Sequence, residues 1–256
     1  MGTITQLYGL NNDALAKSQV FIAGLECEIE SVRNRENLAG FKATEDGSLR
    51  NSGVEFISPP VDRLALGAMF KNLHASLHLY NREEAFSPRT STHVHVNCKS
   101  LNDEQVKNIV LMYALLEEFF FAMVDGNRRG NIHCVPLSET FLSNYYNANL
   151  NHMLQRWHKY TALNLLPLAK LGTIEFRHLQ GTNDQNLLEE WLLALDKLWS
   201  AGQKIQVDEA LLTNHDALLD LFLMIFNHSK KVMALLPCFD DLTQASIIDV
   251  KLSLVK

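Results

Sequence analysis

Apolar and polar residues alternate along four short segments of the chain, and this period of two predicts β-strands. In the first segment, 20–30, Glu26, Glu28 and Glu30 fall on one face, opposite an apolar face that includes Leu25. The other three segments are 53–58, 92–97 and 172–179. The apolar face of each includes aromatic or β-branched residues, as expected for strands that lie over a hydrophobic core.

Most of the remaining sequence follows the helical period, with apolar residues three or four positions apart. We expect the first helix to follow Pro59-Pro60 and the second to end at Gly126, before a loop over 126–136. The predicted helices span about 61–80, 103–124, 138–158, 184–200, 207–228 and 240–254. No repeat or linker interrupts the sequence. A single α+β domain is therefore predicted over residues 1–256, with a sheet-forming part up to about 182 and a helical part after it.

The polar faces of the predicted strands carry an unusual set of side chains. Besides the glutamates of the first strand, they present Glu55, His93, His95, Glu175 and Arg177. An ordinary half-exposed antiparallel sheet also alternates apolar with polar residues, but its wet face is usually rich in Lys, Thr, Ser and Gln. Because all four strands share the same bias, the sequence favours a functional site on this face over a solvated surface.

The chemistry of these side chains limits what such a site can bind. Carboxylates without thiolates favour hard cations, Mg²⁺ or Mn²⁺, over Zn²⁺. Mg²⁺ held by few carboxylates usually completes its coordination with water and substrate phosphates. An arginine among them is suited to a phosphoryl oxygen, because its guanidinium binds in a bidentate way and stays charged. The residues therefore predict a metal–nucleotide site on an antiparallel sheet.

Composition narrows the possible partners and location. The net charge of −6 and the isoelectric point of about 5.9 argue against broad nucleic-acid binding, which depends on Lys and Arg neutralising phosphates. The longest apolar runs, 119–124 and 221–226, are far shorter than a membrane span. Neither a Cys-x-x-Cys spacing nor a secretory signal is recognisable. We therefore expect a cytoplasmic protein with reduced thiols, and neither a nucleic acid nor a membrane as a partner.

Four segments in order resemble the amidoligase family, part of the carboxylate–amine ligase superfamily that includes glutamine synthetase and glutamate–cysteine ligase. They are GLECEIE at 24–30, DGSLRNSGVEFISPP at 46–60, RTSTHVHVN at 89–97 and KYTALNLLPLAKLGTIEFRHLQGT at 159–182. The resemblance implies a glutamine-synthetase-like catalytic domain, in which helices back a curved antiparallel sheet and the active site lies on its concave face. It also implies a reaction: ATP phosphorylates a carboxylate, and an amine attacks the acyl phosphate to form an amide.

The resemblance assigns roles to individual residues. The metal ligands it implies are Glu26, Glu28, Glu55, His93 and Glu175. By the same resemblance His95 faces the nucleotide, and Arg177, next to Glu175, contacts the transferred phosphoryl group. ATP and Mg²⁺ (or Mn²⁺) are the implied cofactors. The carboxylate and amine substrates would be small molecules or peptides.

Other residues are assigned less directly. The attacking amine must lose a proton, for which Asp46 or Glu30 could serve as the base. The segment 126–131 is a candidate lid, with Arg128 reaching phosphates, although a solvated surface turn is an equal alternative. Arg89, just before the third strand, is a candidate for binding phosphate or a substrate carboxylate, or a surface residue.

Two other functions fit parts of the pattern. A zinc hydrolase could be built on His93 and His95, since catalytic zinc commonly has three protein ligands with at least one histidine. A non-catalytic binding module could keep the same fold. No counterpart of the small domain that helps to close the glutamine synthetase site is recognisable, so a local loop or a neighbouring subunit would have to do so. The helices after residue 183 offer apolar surface for self-association into a homo-oligomer.

Overall fold

The structure, a computed structural model, describes residues 2–140 and 149–254. The strands are β1 (Ile22–Ile29), β2 (Lys42–Thr44), β3 (Val54–Ile57), β4 (Val61–Asp62), β5 (Thr92–Asn97), β6 (Leu163–Asn164) and β7 (Thr173–Phe176). The α-helices are α1 (Ile4–Tyr8), α2 (Arg63–Ser76), α3 (Asp103–Met123), α4 (Leu150–Arg156), α5 (Leu168–Leu171), α6 (Gln185–Gly202), α7 (Glu209–Thr213), α8 (His215–Phe226), α9 (Lys230–Met233) and α10 (Phe239–Leu254).

The seven strands form one open sheet in the order β2-β3-β1-β5-β7-β6, with β4 paired to the start of β1. All of the pairings between these strands are antiparallel. This confirms the predicted antiparallel sheet with helices behind it. The likeness to the glutamine synthetase fold and the curvature of the sheet stay predictions.

Helices α3 and α6 cover the apolar face of the sheet. Tyr113 of α3 contacts Phe176 of β7, with their ring centres 6.1 Å apart. Trp199 of α6 donates its indole N–H to the carbonyl of Asn97 at the end of β5, at 3.0 Å. The residues before and after 183 share one buried cluster that includes Leu25 of β1. Within the described ranges, no helix is long and apolar enough to cross a membrane.

The four strands predicted from alternation are present. Strand β5 spans the predicted residues, and the other three are shorter than predicted by one to three residues at each end. The apolar positions of β1 and β3 are buried, as predicted, with Leu25 and Phe56 fully so. The short strands β2 and β6 were missed because two or three residues carry no periodic signal. The single domain over residues 1–256 stays a prediction.

Several helix boundaries were predicted wrongly. The first predicted helix does not begin at Pro59-Pro60, because β4 intervenes and Asp62 caps α2 by accepting from the N–H groups of Leu64 and Ala65. The helix predicted over 207–228 is two helices, α7 and α8, separated at Asn214, which caps the second. Helix α1 was not predicted, although Thr3 and Gln6 form a capping box there. Of the helix predicted over 138–158, α4 is present and 141–148 lie outside the described residues.

Gly202, at the end of α6, lets this helix approach α3 closely. A Cβ at this position would lie 2.3 Å from Cγ1 and 3.2 Å from the backbone nitrogen of Ile109. We expect Gly202→Val to lower the free energy of unfolding by about 1–3 kcal/mol, because the packed helices must separate. Urea denaturation measures the effect. Gly47→Ala is the control, since a Cβ there meets nothing within 4 Å; equal urea midpoints for both variants would refute the close packing.

Candidate active site

The register of the sheet brings the predicted site residues onto one face. Its directly opposed pairs are Glu26–His93, Glu28–Glu55 and His95–Glu175. Directly opposed residues on neighbouring strands project to the same side of the sheet. Along each strand, every second residue projects to that side as well. The polar faces that the sequence indicated strand by strand therefore meet in one place.

Glu26, His93 and Glu175 form the first cluster, which we call the histidine cluster. Each offers a ligand atom, and these atoms lie within 4.8 Å of one another. His93 Nδ1 is 3.4 Å from Glu26 Oε2 and 3.3 Å from Glu175 Oε1. Arg177 donates from one guanidinium nitrogen to Glu175 Oε1 and from Nε to the carbonyl of His133, at 3.0 Å.

The hydrogen bonds around His93 orient its ring. Ser91 donates both its backbone N–H (2.8 Å) and its hydroxyl (2.7 Å) to Glu28 Oε2. Since the hydroxyl proton is used in this way, His93 Nε2 is the donor in its own 2.7 Å contact with Ser91 Oγ. His93 Nδ1 faces the carboxylates of Glu26 and Glu175. This contact is favourable only with a positive charge between the groups, either a proton on Nδ1 or a bound cation.

His95 lies on the other side of Glu26. Its Nε2 is 3.1 Å from Glu26 Oε1, and its Nδ1 contacts the hydroxyl of Thr173 at 3.0 Å. Burial alone would raise the pKa of Glu26, but hydrogen-bond and charge interactions with His93 and His95 lower it well below its ordinary value. Burial alone would lower the pKa of His95, yet the interaction with Glu26 raises it overall. The centre of the face is therefore a coupled carboxylate–imidazole group.

Glu28, Asp46 and Glu55 form a second cluster, which we call the acidic cluster. Their ligand atoms also lie within 4.8 Å of one another. Burial, together with the charges of Glu26, Glu28 and Asp46, raises the pKa of Glu55 to about 8. The negative charge at this end of the face thus exceeds what the nearby positive groups neutralise.

The donor chemistry of the two clusters fits divalent cations. Each cluster offers three ligands, which leaves coordination positions for water and phosphate oxygens. Carboxylate oxygens dominate, with one imidazole nitrogen, and Cys27 lies buried among the core residues of the sheet. This set is typical of Mg²⁺ or Mn²⁺ rather than of a structural zinc centre.

Two cavities flank the clusters, and among the described residues only Glu26 lines both. The larger cavity, of about 460 Å³, has a mostly apolar wall and includes His95. Its lining residues include Leu10, Leu15, Leu25, Ile57, Pro60 and Leu171. The smaller cavity, of about 250 Å³, contains the acidic cluster and the cationic side chains Arg89, Arg128, Lys159 and Arg177.

Arg89 and Arg128, the two arginines that the sequence offers as further candidates for binding phosphate, have different surroundings. Arg89 donates to the carbonyl of Ser48 at 3.0 and 3.3 Å, on the rim of the smaller cavity. Arg128 is only 4% exposed and donates to the carbonyls of Arg177 (2.6 Å) and His178 (2.8 Å). Through Arg128 the candidate lid therefore packs against Arg177 and His178, the two residues that follow β7. Phosphate binding by Arg89 and Arg128 stays a prediction.

Glu30 is set apart from the other glutamates of the first strand. It lies one residue beyond β1, is buried, and accepts from the backbone N–H of Arg50 at 2.7 Å. Asp46, the other candidate base, lies in the acidic cluster and lines the smaller cavity. Of the two, Asp46 is therefore the better placed to meet a substrate.

Three further residues support the site, and two of them, Ser91 and Thr173, were given no role from the sequence. Ser91 orients Glu28 and His93, and Thr173 contacts His95. Both stand two positions before a predicted site residue, so the same alternation could have identified them. Asn164 donates to Glu175 Oε2 at 2.7 Å. Its contact depends on the β6–β7 pairing, which the sequence did not reveal.

A buried network behind the sheet supports the loop that contacts Arg177. Glu117 of α3 accepts from the backbone N–H groups of Leu137 and Ser138 and from the hydroxyl of Tyr113, which also contacts His178. Burial raises the pKa of Glu117, against the effect of these hydrogen bonds. The loop that follows Arg128 is thereby tied to the helical layer.

Removing this carboxyl group should destabilise the fold, because three donors, two of them buried, lose their partner at once. We expect Glu117→Leu to lower the free energy of unfolding by about 2–4 kcal/mol, and Tyr113→Phe, which removes one donor to Glu117 and the contact with His178, by about 1–2 kcal/mol. Chemical denaturation of both variants measures the two losses in free energy of unfolding and so their ratio. Equal losses would show that the backbone contacts of Glu117 contribute little.

Comparisons with known proteins place the chain in a family. Among solved structures it is similar to a bifunctional glutathione synthetase from Pasteurella multocida, with a TM-score of 0.46 and 10% identity. The match covers 92% of this chain and 46% of that one, so this chain spans less than half of that protein's length. No curated protein matches the sequence. The family model described as "Putative amidoligase enzyme" matches residues 28–199, more than half of the chain. The chain therefore belongs to the amidoligase family.

Proposed function

We propose that this amidoligase family member is an ATP- and Mg²⁺-dependent ligase that joins a carboxylate to an amine through an acyl phosphate. The observation that carries the proposal is the position of Glu26. It belongs to a cluster suited to a divalent cation, and it is the one described residue that lines both cavities. A phosphoryl group passing from one cavity to the other would cross this position.

The larger cavity suits the nucleotide. Its volume of about 460 Å³ and its leucine-rich wall fit an aromatic base, while Asn97, Lys99 and Lys170 offer polar contacts at the edge. His95 lines this cavity, where it would face the nucleotide in the role that the family resemblance implies. Leu171 is 55% exposed at the cavity, and a bound base would cover its apolar surface.

The smaller cavity suits the carboxylate substrate. Arg89 and Lys159 are exposed on its rim, and the Lys159 ammonium lies 4.7 Å from the ring centre of Tyr160. These cationic groups can attract a carboxylate towards the clusters. Arg177 lines this cavity and donates to Glu175, and from this position it would contact the transferred phosphoryl group.

Phosphoryl transfer requires positioning and charge neutralisation more than covalent help from the protein. Divalent cations bound at the two clusters would neutralise and orient the phosphate oxygens. Arg177 is preorganised by Glu175 and by the carbonyl of His133, so little reorientation is needed when charge develops. Asn164 holds the second oxygen of Glu175 and thereby fixes the orientation of that carboxylate.

The reaction would proceed in two steps. A carboxylate oxygen attacks the γ-phosphorus of ATP, the bond to the β–γ bridging oxygen breaks, and ADP leaves. The amine nitrogen then attacks the acyl carbon, and phosphate leaves with the electrons of the carbon–oxygen bond. The surplus proton of the amine passes to a base, for which Asp46 is the candidate in the acidic cluster.

Calorimetric titration with a non-hydrolysable ATP analogue tests the nucleotide site directly. We expect binding in the presence of Mg²⁺ and much weaker binding without it. Absence of binding under both conditions would overturn the proposal. Tightly held stoichiometric zinc in the purified protein would instead favour the hydrolase alternative.

Hydroxylamine as the amine tests the acyl phosphate step without knowledge of the natural acceptor. With ATP, Mg²⁺ and a panel of amino acids and short peptides as carboxylates, we expect hydroxamate and ADP in equal amounts for the accepted carboxylate. Nucleotide binding without hydroxamate from any member of a broad panel would favour a non-catalytic module.

A further inference from the structure

Residues 10–17, which we call the strap, form one wall of the larger cavity. Leu10, Asn11 and Leu15 line it directly. Gly24, Leu25 and Glu26 of β1 line the same cavity. The strap thus borders the cavity on one side of Glu26, whereas the acidic cluster lies in the other cavity.

Two side chains from β5 and the residues after it hold the strap in place. Asn97 donates to the carbonyl of Leu15 at 2.9 Å, and Lys99 donates to Asp13 at 2.8 Å. Asp13 also accepts from the backbone N–H of Ala16 at 3.2 Å, so the contact with Lys99 stabilises the turn of the strap as well.

The two partners of the ion pair differ in how firmly they are held. Lys99 is 8% exposed, and its chain packs so closely against Gly172 that a Cβ there would lie 2.4 Å from Lys99 Cγ. Asp13 is exposed on the strap. Breaking the pair therefore displaces the strap, while Lys99 stays in the cavity wall.

The residues just before the strap are suited to act as a hinge. Before it, α1 is fixed by backbone hydrogen bonds from Ile4 to Leu101 and from Thr5 to Lys99. Gly9 separates α1 from the strap and has a left-handed φ of +62°, and a Cβ at this position would meet nothing within 4 Å. A segment with exposed residues and few tertiary hydrogen bonds opens locally at low cost.

We propose that the strap is the movable wall of the nucleotide cavity: it detaches from Asn97 and Lys99 to admit the nucleotide and closes again over the base. This inference rests on the proposed function, because it needs a nucleotide in the larger cavity. Leu10 and Leu15 would then contact the base directly and contribute to its selection.

Weakening the ion pair should speed nucleotide release. We expect Asp13→Asn to raise the dissociation rate of a fluorescent ADP analogue with Mg²⁺ about 3- to 10-fold, as for the loss of a partly exposed ion pair, with a smaller effect on association. Stopped-flow fluorescence measures both rates. Lys17→Gln is the matched control, because Lys17 belongs to the strap but does not line the cavity.

Hydrogen exchange of residues 9–18 gives a second readout that does not depend on turnover. We expect Mg²⁺ with the ADP analogue to slow exchange of the strap in the wild-type protein, and less so in Asp13→Asn. If the analogue binds while exchange of the strap and the release rate of Asp13→Asn stay unchanged, the strap proposal is wrong and the proposed function stands. If the wild-type protein does not bind the analogue, both are wrong.

Discussion

Glu26→Gln should abolish Mg²⁺-dependent nucleotide binding and reduce hydroxamate formation by about 100-fold or more, since loss even of an outer-shell partner of a metal typically costs 10- to 100-fold. The amide keeps the size of the side chain but removes the charge that a divalent cation requires. Glu26 also lies between His93 and His95, so its loss disturbs the orientation of both rings. Titration with the ATP analogue at several Mg²⁺ concentrations measures the first effect.

The fold should tolerate this substitution. One negative charge is removed from a face crowded with acidic side chains, and circular dichroism should show unchanged secondary structure. Glu45→Gln is the matched control: Glu45 is exposed and lines neither of the two cavities. Equal Mg²⁺-dependent affinity in wild type and Glu26→Gln would exclude Glu26 from the metal site.

Arg177→Lys should lower kcat for hydroxamate formation by about 100- to 1,000-fold, with a much smaller change in nucleotide affinity. Lysine keeps the positive charge but loses the planar fork, and with it the simultaneous contacts to Glu175 and to the carbonyl of His133. If Arg177 acts on the transferred phosphoryl group, its interaction is made mainly in the transition state, so kcat rather than affinity should change.

Single-turnover measurements separate the effect on kcat from the effect on nucleotide affinity. They use the carboxylate that gives the highest hydroxamate yield. Arg82→Lys is a control for the same exchange at an exposed position outside both cavities. A turnover within about twofold of the wild type would show that Arg177 has a supporting role only. A large loss of affinity without loss of kcat would instead assign it to nucleotide binding.

The strands that carry the site were predictable because each has enough alternating positions to reveal its faces. In β1 the period of two separates Glu26 and Glu28 from Leu25 and Cys27, and in β5 it separates His93 and His95 from the valines. The burial pattern of these apolar residues confirms the assignment. Helix boundaries were less predictable, because Asp62 and Asn214 end or begin elements through hydrogen bonds of single side chains.

The supporting contacts depended on which strands are neighbours. Nothing in the local sequence places Asn164 beside Glu175, because this contact arises from pairing β6 with β7. The burial of Arg128 and its contact with the carbonyl of Arg177 likewise depend on how the loop after α3 packs. The local sequence shows which polar side chain stands at a position. Its hydrogen-bond partner depends on which residues the fold brings next to it.

By itself, the sequence determined the face on which each charged side chain lies, because alternation along a strand is a local property of the backbone. It also determined the chemistry of the face, rich in carboxylates with imidazole and guanidinium groups. Only the tertiary structure decided that these faces join into two clusters, that Glu26 stands between two cavities, and that the strap forms a wall of one of them. These features depend on strand order and register, which are set by packing between residues far apart in the chain.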